Sequence, residues 1–255
     1  MSAAPLAIEY VGHATLRVDL DGARFLTDPV LRGRIGPLMR QGPVPALEAL
    51  RGSIDAVLVS HLHLDHLDLP SLRNLGRGVP VVAPLGAGAW LRAHAIADVT
   101  EMAAGDAAIL GGIRVRAVAA RHRGFRPFGR PVAGTLGYLL EGSRSVYFAG
   151  DTGLFDEMTD LAGAVDVALL PVGGWGPTLP ARDHLDPVDA ARAAALIRPG
   201  FAVPIHWGTY WPSGLGWVRP ARRFGPPGRF VDAAAELAPT VRVRPTEIGA
   251  PVDLR

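Results

Sequence analysis

The sequence predicts an α/β fold in which two β-sheets pack face to face and helices cover their outer surfaces. Apolar segments with strand-like patterns outnumber the helical segments, and they fall into two groups that are each followed by a helix. With 255 residues, of which 49% are hydrophobic, the chain is long enough to bury one large core. We therefore expect a single domain over residues 1–255.

The first group of strands leads to a segment rich in histidine. Asp21-Gly22 between two strand-like runs is typical of a tight hairpin turn. The β-branched run Asp55 to Val59 predicts a buried strand directly before the histidines. In chain order we predict strands at residues 8–11, 15–20 and 24–27, a long loop at 29–45, strands at 55–59 and 80–83, and a helix at 87–95.

The second group of strands alternates with helices. Asp186-Pro187 is a helix start, because Asp suits the N-cap and Pro suits the first turn. In chain order we predict strands at 113–119, 134–140 and 144–148, a helix at 154–161, a strand at 165–170, a helix from 187 to 197, an extended run at 201–205, a loop at 208–228, a helix at 230–237 and a last strand at 241–243.

The most informative segment is the nine residues from Ser60 to Asp68. It follows the buried strand at the point where chemistry is common in α/β proteins. If the chain stays extended, His61 and His63 point to the same side, whereas Asp65 and His66 can face a second point after a turn. Imidazole and carboxylate groups suit zinc, iron and manganese. A polar loop without metal is the alternative, but the packing of a loop does not require this spacing of histidine and aspartate.

Other polar residues stand at the ends of apolar runs, where an edge-of-sheet site would require them. These residues are Asp28, His122, Asp151 and His206. Each could instead be an ordinary loop residue, and Asp28 could be a turn former before Pro29.

The His-x-His-x-Asp-His motif, with a later His, Asp and His at strand ends, resembles the metallo-β-lactamase superfamily. The resemblance runs from Gly12 to about Trp207. It implies an α/β fold of αββα sandwich type, with two packed mixed sheets and helices on the outer faces. One branch resembles the chain more narrowly, namely that of N-acyl-phosphatidylethanolamine phospholipase D and L-ascorbate-6-phosphate lactonase. The segments that carry this narrower resemblance are Val11 to Thr15, Leu26 to Pro29, Asp55 to His61, and Asp68.

The resemblance implies two divalent metal ions, with zinc as the first choice and manganese or iron as alternatives. The first ion would be held by His61, His63 and His122. The second would be held by Asp65, His66 and His206. Asp151 would bridge the ions together with a water or hydroxide. Asp28 would orient a ligand histidine, and His13 would be either such a supporting group or a purely structural histidine.

The implied function is a binuclear metal-dependent hydrolase of a phosphodiester or a phosphorylated lactone that uses a metal-bridging hydroxide. Asp151, Asp65 and His184 would be its catalytic residues, with His184 as a candidate proton donor to the leaving group. The chain lacks the cysteine ligand of the β-lactam-hydrolysing members. Two alternatives stay open: a lactonase or amidase that acts on a neutral small molecule, and a non-catalytic metal-binding protein.

Two groups of residues are candidates for contact with substrate. Arg123 and Arg126 flank His122 and could bind an anionic substrate, since guanidinium suits phosphate and carboxylate, or they could belong to a solvated loop. Aromatic residues on Gly- and Pro-rich segments could form a pocket wall or merely pack. These residues are Trp175, Trp207, Tyr210 and Trp211.

Composition narrows the function further. All 26 basic residues are arginine and there is no cysteine, which excludes a lysine Schiff base, a disulfide and a thiolate ligand. A net charge of +2 does not favour nucleic-acid binding. We see no signal peptide and no apolar run long enough for a membrane span. We expect a cytoplasmic protein that acts on a small molecule, and the sequence leaves a homo-oligomer open.

Overall fold

The computed structural model of the protein describes residues 6–50, 54–76, 78–122, 129, 131–173, 183–214 and 224–255. These residues form two seven-stranded sheets and one three-stranded sheet. With the exception of the last short strand, the first large sheet is built from the N-terminal part of the chain and the second from the C-terminal part.

The first sheet combines an antiparallel half with a parallel half. Its strands are β1 (Leu6–Gly12), β2 (Thr15–Leu20), β3 (Ala23–Thr27), β6 (Ala56–Leu58), β7 (Val81–Pro84), β8 (Val99–Met102) and β17 (Ala250–Pro251). The order across the sheet is β17-β1-β2-β3-β6-β7-β8, and pairing is parallel from β3 onward. The predicted hairpin is confirmed: Asp21 and Gly22 have φ of 51° and 92°, as a two-residue turn with both central residues left-handed requires.

The second sheet has the same mixed character. Its strands are β9 (Ala107–Leu110), β10 (Ile113–Ala119), β11 (Leu136–Glu141), β12 (Ser145–Phe148), β13 (Val167–Pro171), β14 (Phe201–Ile205) and β16 (Arg242–Val243). The order is β16-β14-β13-β12-β11-β10-β9. The strands from β9 to β12 pair antiparallel, and β12, β13, β14 and β16 pair parallel.

The third sheet was not expected from the sequence. It joins β4 (Arg34–Ile35), β5 (Leu38–Arg40) and β15 (Tyr210–Pro212). The segments 29–45 and 208–228, predicted as loops, therefore contain short paired strands. Strands of two or three residues carry no readable alternation, so their pairing follows from the tertiary structure rather than from a local pattern.

Four of the described helices were predicted, with bounds that differ by up to four residues, and the first two were not predicted. The helices are α1 (Leu47–Leu50), α2 (Leu69–Leu75), α3 (Gly88–Ala93), a 3₁₀ helix (Asp156–Leu161), α4 (Pro187–Ile197) and α5 (Pro226–Leu237). The Asp186 carboxylate caps α4, accepting from Val188 N at 2.8 Å and Asp189 N at 2.9 Å, as predicted. The helix α5 begins before the predicted position 230, because two prolines suit a first turn. None of the described helices is long and apolar enough to cross a membrane.

The core has three apolar layers, which confirms the αββα sandwich. Side chains of both sheets meet in the central layer, for example Phe25 and Leu58 with Tyr138 and Phe148. The outer face of the second sheet packs on α4 and α5, and that of the first sheet packs on α2 and α3. Because each fully buried large apolar side chain contributes about 1.5–3 kcal/mol, these layers are the main source of stability.

This architecture brings the ends of several strands together. The strands β3, β6, β10, β12 and β14 run in one direction within their sheets, and polar residues follow each of them at the same edge. Hydrogen bonds join the two sheets at this edge. Leu136 N donates to Ser60 O at 3.0 Å, and the Tyr138 hydroxyl donates to Val59 O at 2.8 Å.

Candidate metal centre

Three histidines form the first cluster of donor atoms. His61 Nε2 lies 2.9 Å from His63 Nδ1, and His122 Nε2 lies 3.2 Å from the same nitrogen. His61 is fully buried and His122 nearly so. Three ring nitrogens thus converge on one point, and these are the three residues predicted to hold the first ion.

Hydrogen bonds on the far side of two rings fix their orientation. His122 Nδ1 lies 2.9 Å from Asp183 O, and since a carbonyl only accepts, this nitrogen carries the proton. His61 Nδ1 lies 3.0 Å from Ser60 Oγ, whose own proton goes to Asp28. Both Nε2 atoms therefore direct a lone pair at the cluster, as metal-ligating histidines do.

The second cluster contains a carboxylate and three histidines. His66 Nε2 and His206 Nε2 are 3.3 Å apart, and Asp65 Oδ2 lies 3.9 Å from each of them. His13 Nε2 lies 3.2 Å from the same Asp65 oxygen. These four residues offer ligand atoms within 4.8 Å of one another, and His13 was not among the predicted ligands.

Asp151 lies between the two clusters. Its Oδ2 is 3.3 Å from His66 Nε2, and its Oδ1 is 3.4 Å from His206 Nε2. It also groups with His122 of the first cluster and with His184, whose Nδ1 is 3.5 Å from Asp151 Oδ2. Asp151 Oδ1 is buried and has no hydrogen-bond partner among the described residues.

Asp28 orients residues of both clusters through three hydrogen bonds. This fully buried carboxylate accepts from Ser60 N at 2.7 Å, from Ser60 Oγ at 2.5 Å and from His66 Nδ1 at 2.7 Å. The bond to Nδ1 leaves His66 Nε2 facing Asp151 and His206. Through the Ser60 hydroxyl the same carboxylate also reaches His61, so one residue orients a histidine in each cluster.

The electrostatics of the site suit a cation. Burial lowers the pKa of His61 and His206 well below the usual value, and that of His63 to about 4, which keeps these rings neutral with free lone pairs. Burial also lowers the pKa of His66, but Asp151 and two further carboxylates outweigh it and hold that pKa well above its usual value. The carboxylates thus stabilise positive charge at the second cluster.

The Asp151 carboxylate itself stays ionised. Burial raises the pKa of the Asp151 carboxyl, but His206, His66 and His61 outweigh burial and hold it well below its usual value. A buried set of imidazole nitrogens and carboxylate oxygens, with an Asp151 oxygen at its centre that has no hydrogen-bond partner among the described residues, fits a divalent transition-metal ion.

Backbone strain is concentrated at the same place. Of the six non-glycine residues with positive φ among those described, three belong to the site: His13 at 60°, Asp28 at 31° and His206 at 59°. Such conformations cost about 1–3 kcal/mol each and persist where the surroundings impose them. Gly173 shows how close the packing is, since a Cβ there would lie 2.0 Å from His206 O.

The residues predicted to contact substrate fall into two groups, those that the structure describes and those outside the described residues. The Trp207 ring stacks on Tyr10, with ring centroids 6.0 Å apart, and its Nε1 donates to Pro204 O at 3.0 Å. The Tyr210 hydroxyl donates to Arg32 O at 2.6 Å, and Trp211 lies in β15. Their contact with substrate stays a prediction. The other predicted substrate residues, Arg123, Arg126 and Trp175, lie outside the described residues.

Sequence reasoning missed several supporting residues. Ser60 directly precedes the motif, and its position could have marked it as a partner of Asp28. No sequence signal marks the Asp183 carbonyl, because only the fold brings it to His122 across 61 positions. Thr209, whose Oγ1 lies 2.6 Å from His13 N, was likewise invisible at 196 positions of separation.

Comparison with known proteins identifies relatives of the chain. A family model described as the beta-lactamase superfamily domain matches residues 23–207. The chain is 33% identical over 228 residues to an N-acyl-phosphatidylethanolamine-hydrolyzing phospholipase D of Caenorhabditis elegans, a match that covers 79% of the chain. It is 34% identical over 214 residues to a metal-dependent hydrolase of Methanopyrus kandleri, which covers 81% of the chain and 86% of the relative.

A solved structure shares the fold of this chain. A metallo hydrolase of the archaeon Ignicoccus hospitalis superposes with a TM-score of 0.70 at 25% identity, over 98% of this chain and 99% of that one. The chain spans 63% of the length of the C. elegans protein and of several mycobacterial relatives.

Proposed function

The chain belongs to the metallo-β-lactamase superfamily, and we propose that it is a metal-dependent hydrolase with two metal ions that cleaves phosphodiesters or phosphorylated lactones. The observation that carries this proposal is the position of Asp151. It stands between a three-nitrogen cluster and a mixed nitrogen and carboxylate cluster, and one of its oxygens has no hydrogen-bond partner among the described residues. With a single ion at one cluster, the donor atoms of the other cluster would have no ion to bind.

In this proposal the two donor sets hold one ion each. His61, His63 and His122 would bind the first ion, Asp65, His66 and His206 the second, and Asp151 both. Imidazole and carboxylate donors without sulfur are compatible with zinc, manganese or iron, and we propose zinc first. Such ions would supply Lewis acidity at the site, which lowers the pKa of water and stabilises negative charge that develops on a substrate.

The chain's own residues supply orientation and proton transfer. Asp28 and Ser60 keep His61 and His66 in the tautomers that direct Nε2 inward. His184 is the candidate general acid: its Nδ1 is 3.5 Å from Asp151 Oδ2, and its side chain keeps 12% of its surface exposed. A group at the border of the site with one face toward solvent can deliver a proton to a leaving group and be reprotonated.

The substrate class rests on resemblance and on charge. The C. elegans relative is named as a phospholipase D that hydrolyses N-acyl-phosphatidylethanolamine. The segment around His122 is rich in arginine, with Arg121, Arg123, Arg126 and Arg130 within ten positions. Guanidinium groups pair with phosphate in a planar, bidentate geometry, which favours a phosphorylated substrate over a neutral one.

A substrate panel on the zinc-loaded protein tests the proposal. We expect turnover of a bis-aryl phosphodiester or a phosphorylated lactone, and at least about tenfold lower kcat/KM on the neutral lactone and on an aryl amide. The Asp151→Ala variant is the control for contaminating activity. Preference for a neutral lactone or amide would contradict the substrate class. A protein that binds two ions and turns over nothing in the panel would contradict hydrolysis itself.

A further inference from the structure

His13 connects three distant segments of the chain at the second cluster. Its ring lies on that of His206, with centroids 3.9 Å apart, and meets the edge of Tyr210 at 5.5 Å. Its Nε2 lies 3.2 Å from Asp65 Oδ2. The ring therefore touches the histidine motif on one side and the segment after β14 on the other.

The backbone of His13 is held as firmly as its ring. His13 N donates to Thr209 Oγ1 at 2.6 Å, and His13 O accepts from His206 N at 2.7 Å. The residue has φ of 60°, a left-handed conformation that is uncommon outside glycine, and the ring is almost entirely buried. Gly12 makes the turn feasible, because a Cβ there would lie 2.9 Å from Arg40 Nη2. A strained conformation with so many supports indicates that this ring is needed at this point.

Asp65 depends on that ring. The bond to His13 is the one hydrogen bond that the Asp65 carboxylate makes to described residues. The Asp65 side chain is 22% exposed, against 4% for His13, so without this partner the carboxylate is free to turn toward solvent. The oxygen that His13 holds is the one that lies 3.9 Å from both His66 Nε2 and His206 Nε2.

We propose that His13 is a positioning residue: through its Nε2 it holds the Asp65 carboxylate toward His66 and His206, and thereby sets the affinity of the second cluster for its ion. This inference rests on the proposed function, because it assumes that an ion binds there. It assigns His13 no contact with the ion and no part in the reaction. Loss of a supporting hydrogen bond to a metal ligand typically weakens metal binding about 10–100-fold.

Two variants separate the hydrogen bond from the packing of the ring. His13→Phe keeps an aromatic ring against His206 but removes the donor. His13→Gln removes the ring but keeps an N–H near the position of Nε2. Asp65→Asn identifies which binding step belongs to the second cluster. His94→Phe is the matched control, since His94 Nδ1 is 2.7 Å from Trp90 O at the end of α3, outside both clusters.

The measurement is a stepwise zinc titration of the metal-free proteins against a chromophoric chelator, with the free energy of unfolding of each metal-free variant recorded beside it. We expect His13→Phe to weaken the step that Asp65→Asn identifies by about 10–100-fold and to leave the other step unchanged. His13→Gln should stay within about threefold of wild type, as should His94→Phe.

Each other outcome overturns the inference. If His13→Phe binds both ions as wild type does, the hydrogen bond has no role in binding. If Phe is tolerated and Gln is not, ring packing is what matters, and if both weaken the step equally, the imidazole itself is required, as for a direct ligand. Wild-type protein that binds fewer than two ions would instead contradict the proposed function.

Discussion

Replacing Asp28 by Asn removes the charge that orients the ligand histidines while keeping the size of the side chain. Asp28 Oδ1 accepts from Ser60 N, and Oδ2 accepts from both Ser60 Oγ and His66 Nδ1. An amide has one acceptor oxygen and one NH₂ group. Whichever way it is turned, a donor faces another donor, and the orientation with fewer conflicts places NH₂ against Ser60 N at 2.7 Å.

The expected cost follows from these contacts. A hydrogen bond to a charged acceptor contributes about 1.5–3 kcal/mol, and a buried donor left without a partner costs about 1–3 kcal/mol. We expect the free energy of unfolding of the metal-free Asp28→Asn protein to fall by about 1–3 kcal/mol. A neutral partner also holds the His66 tautomer less firmly, so zinc should bind about 10–100-fold more weakly, which corresponds to about 1.4–2.8 kcal/mol.

Chelator-competition titration and denaturant unfolding measure the two effects separately. Asp166→Asn is the matched control, because Asp166 Oδ2 also accepts from a serine N, at 2.7 Å, and from its Oγ, at 3.1 Å, but on the exposed opposite edge of the second sheet. We expect Asp166→Asn to bind zinc as wild type does. A folded Asp28→Asn protein with wild-type zinc affinity would refute the view that Asp28 orients the ligands.

Three further changes have expected outcomes. Asp151→Ala should remain folded but lose more than about tenfold in kcat, equivalent to about 1.4 kcal/mol, and steady-state assays of the folded variant check this. Gly173→Ala should weaken zinc binding or destabilise the fold by about 1–3 kcal/mol, because the added methyl would meet His206 O; Gly228→Ala in α5, where a Cβ has open space, is the control in thermal unfolding. Chelation should lower the unfolding free energy by about 2.7 kcal/mol for each bound ion, relative to protein at a zinc concentration 100 times the Kd of that ion, and a denaturant titration with and without chelator measures the difference.

Much of the fold could be predicted because several of its central strands are buried on both faces. The runs that became β6, β13 and β14 are continuously apolar, and such runs are visible in a sequence. The strands β8 and β9 were missed because Val99–Met102 and Ala107–Leu110 are half-exposed edge segments of weak pattern. The third sheet was missed because β5 pairs with a strand about 170 positions away, and only the finished fold brings the two together.

The site likewise has features that the sequence indicated and features that depend on long-range contacts. The spacing of His61, His63 and His66 indicated two donor groups, and the strand ends indicated where the later residues join them. What the sequence could not indicate is which atoms fix each ring. The Asp183 carbonyl behind His122 and the Thr209 hydroxyl behind His13 act through long-range contacts and have no motif of their own.

The central claim is that two clusters that share Asp151 hold two metal ions. Elemental analysis of the purified chain after reconstitution with zinc and removal of unbound metal tests it most directly. We expect two ions per chain, and fewer than two in the folded Asp151→Ala variant. One ion or none in the wild-type protein would contradict it.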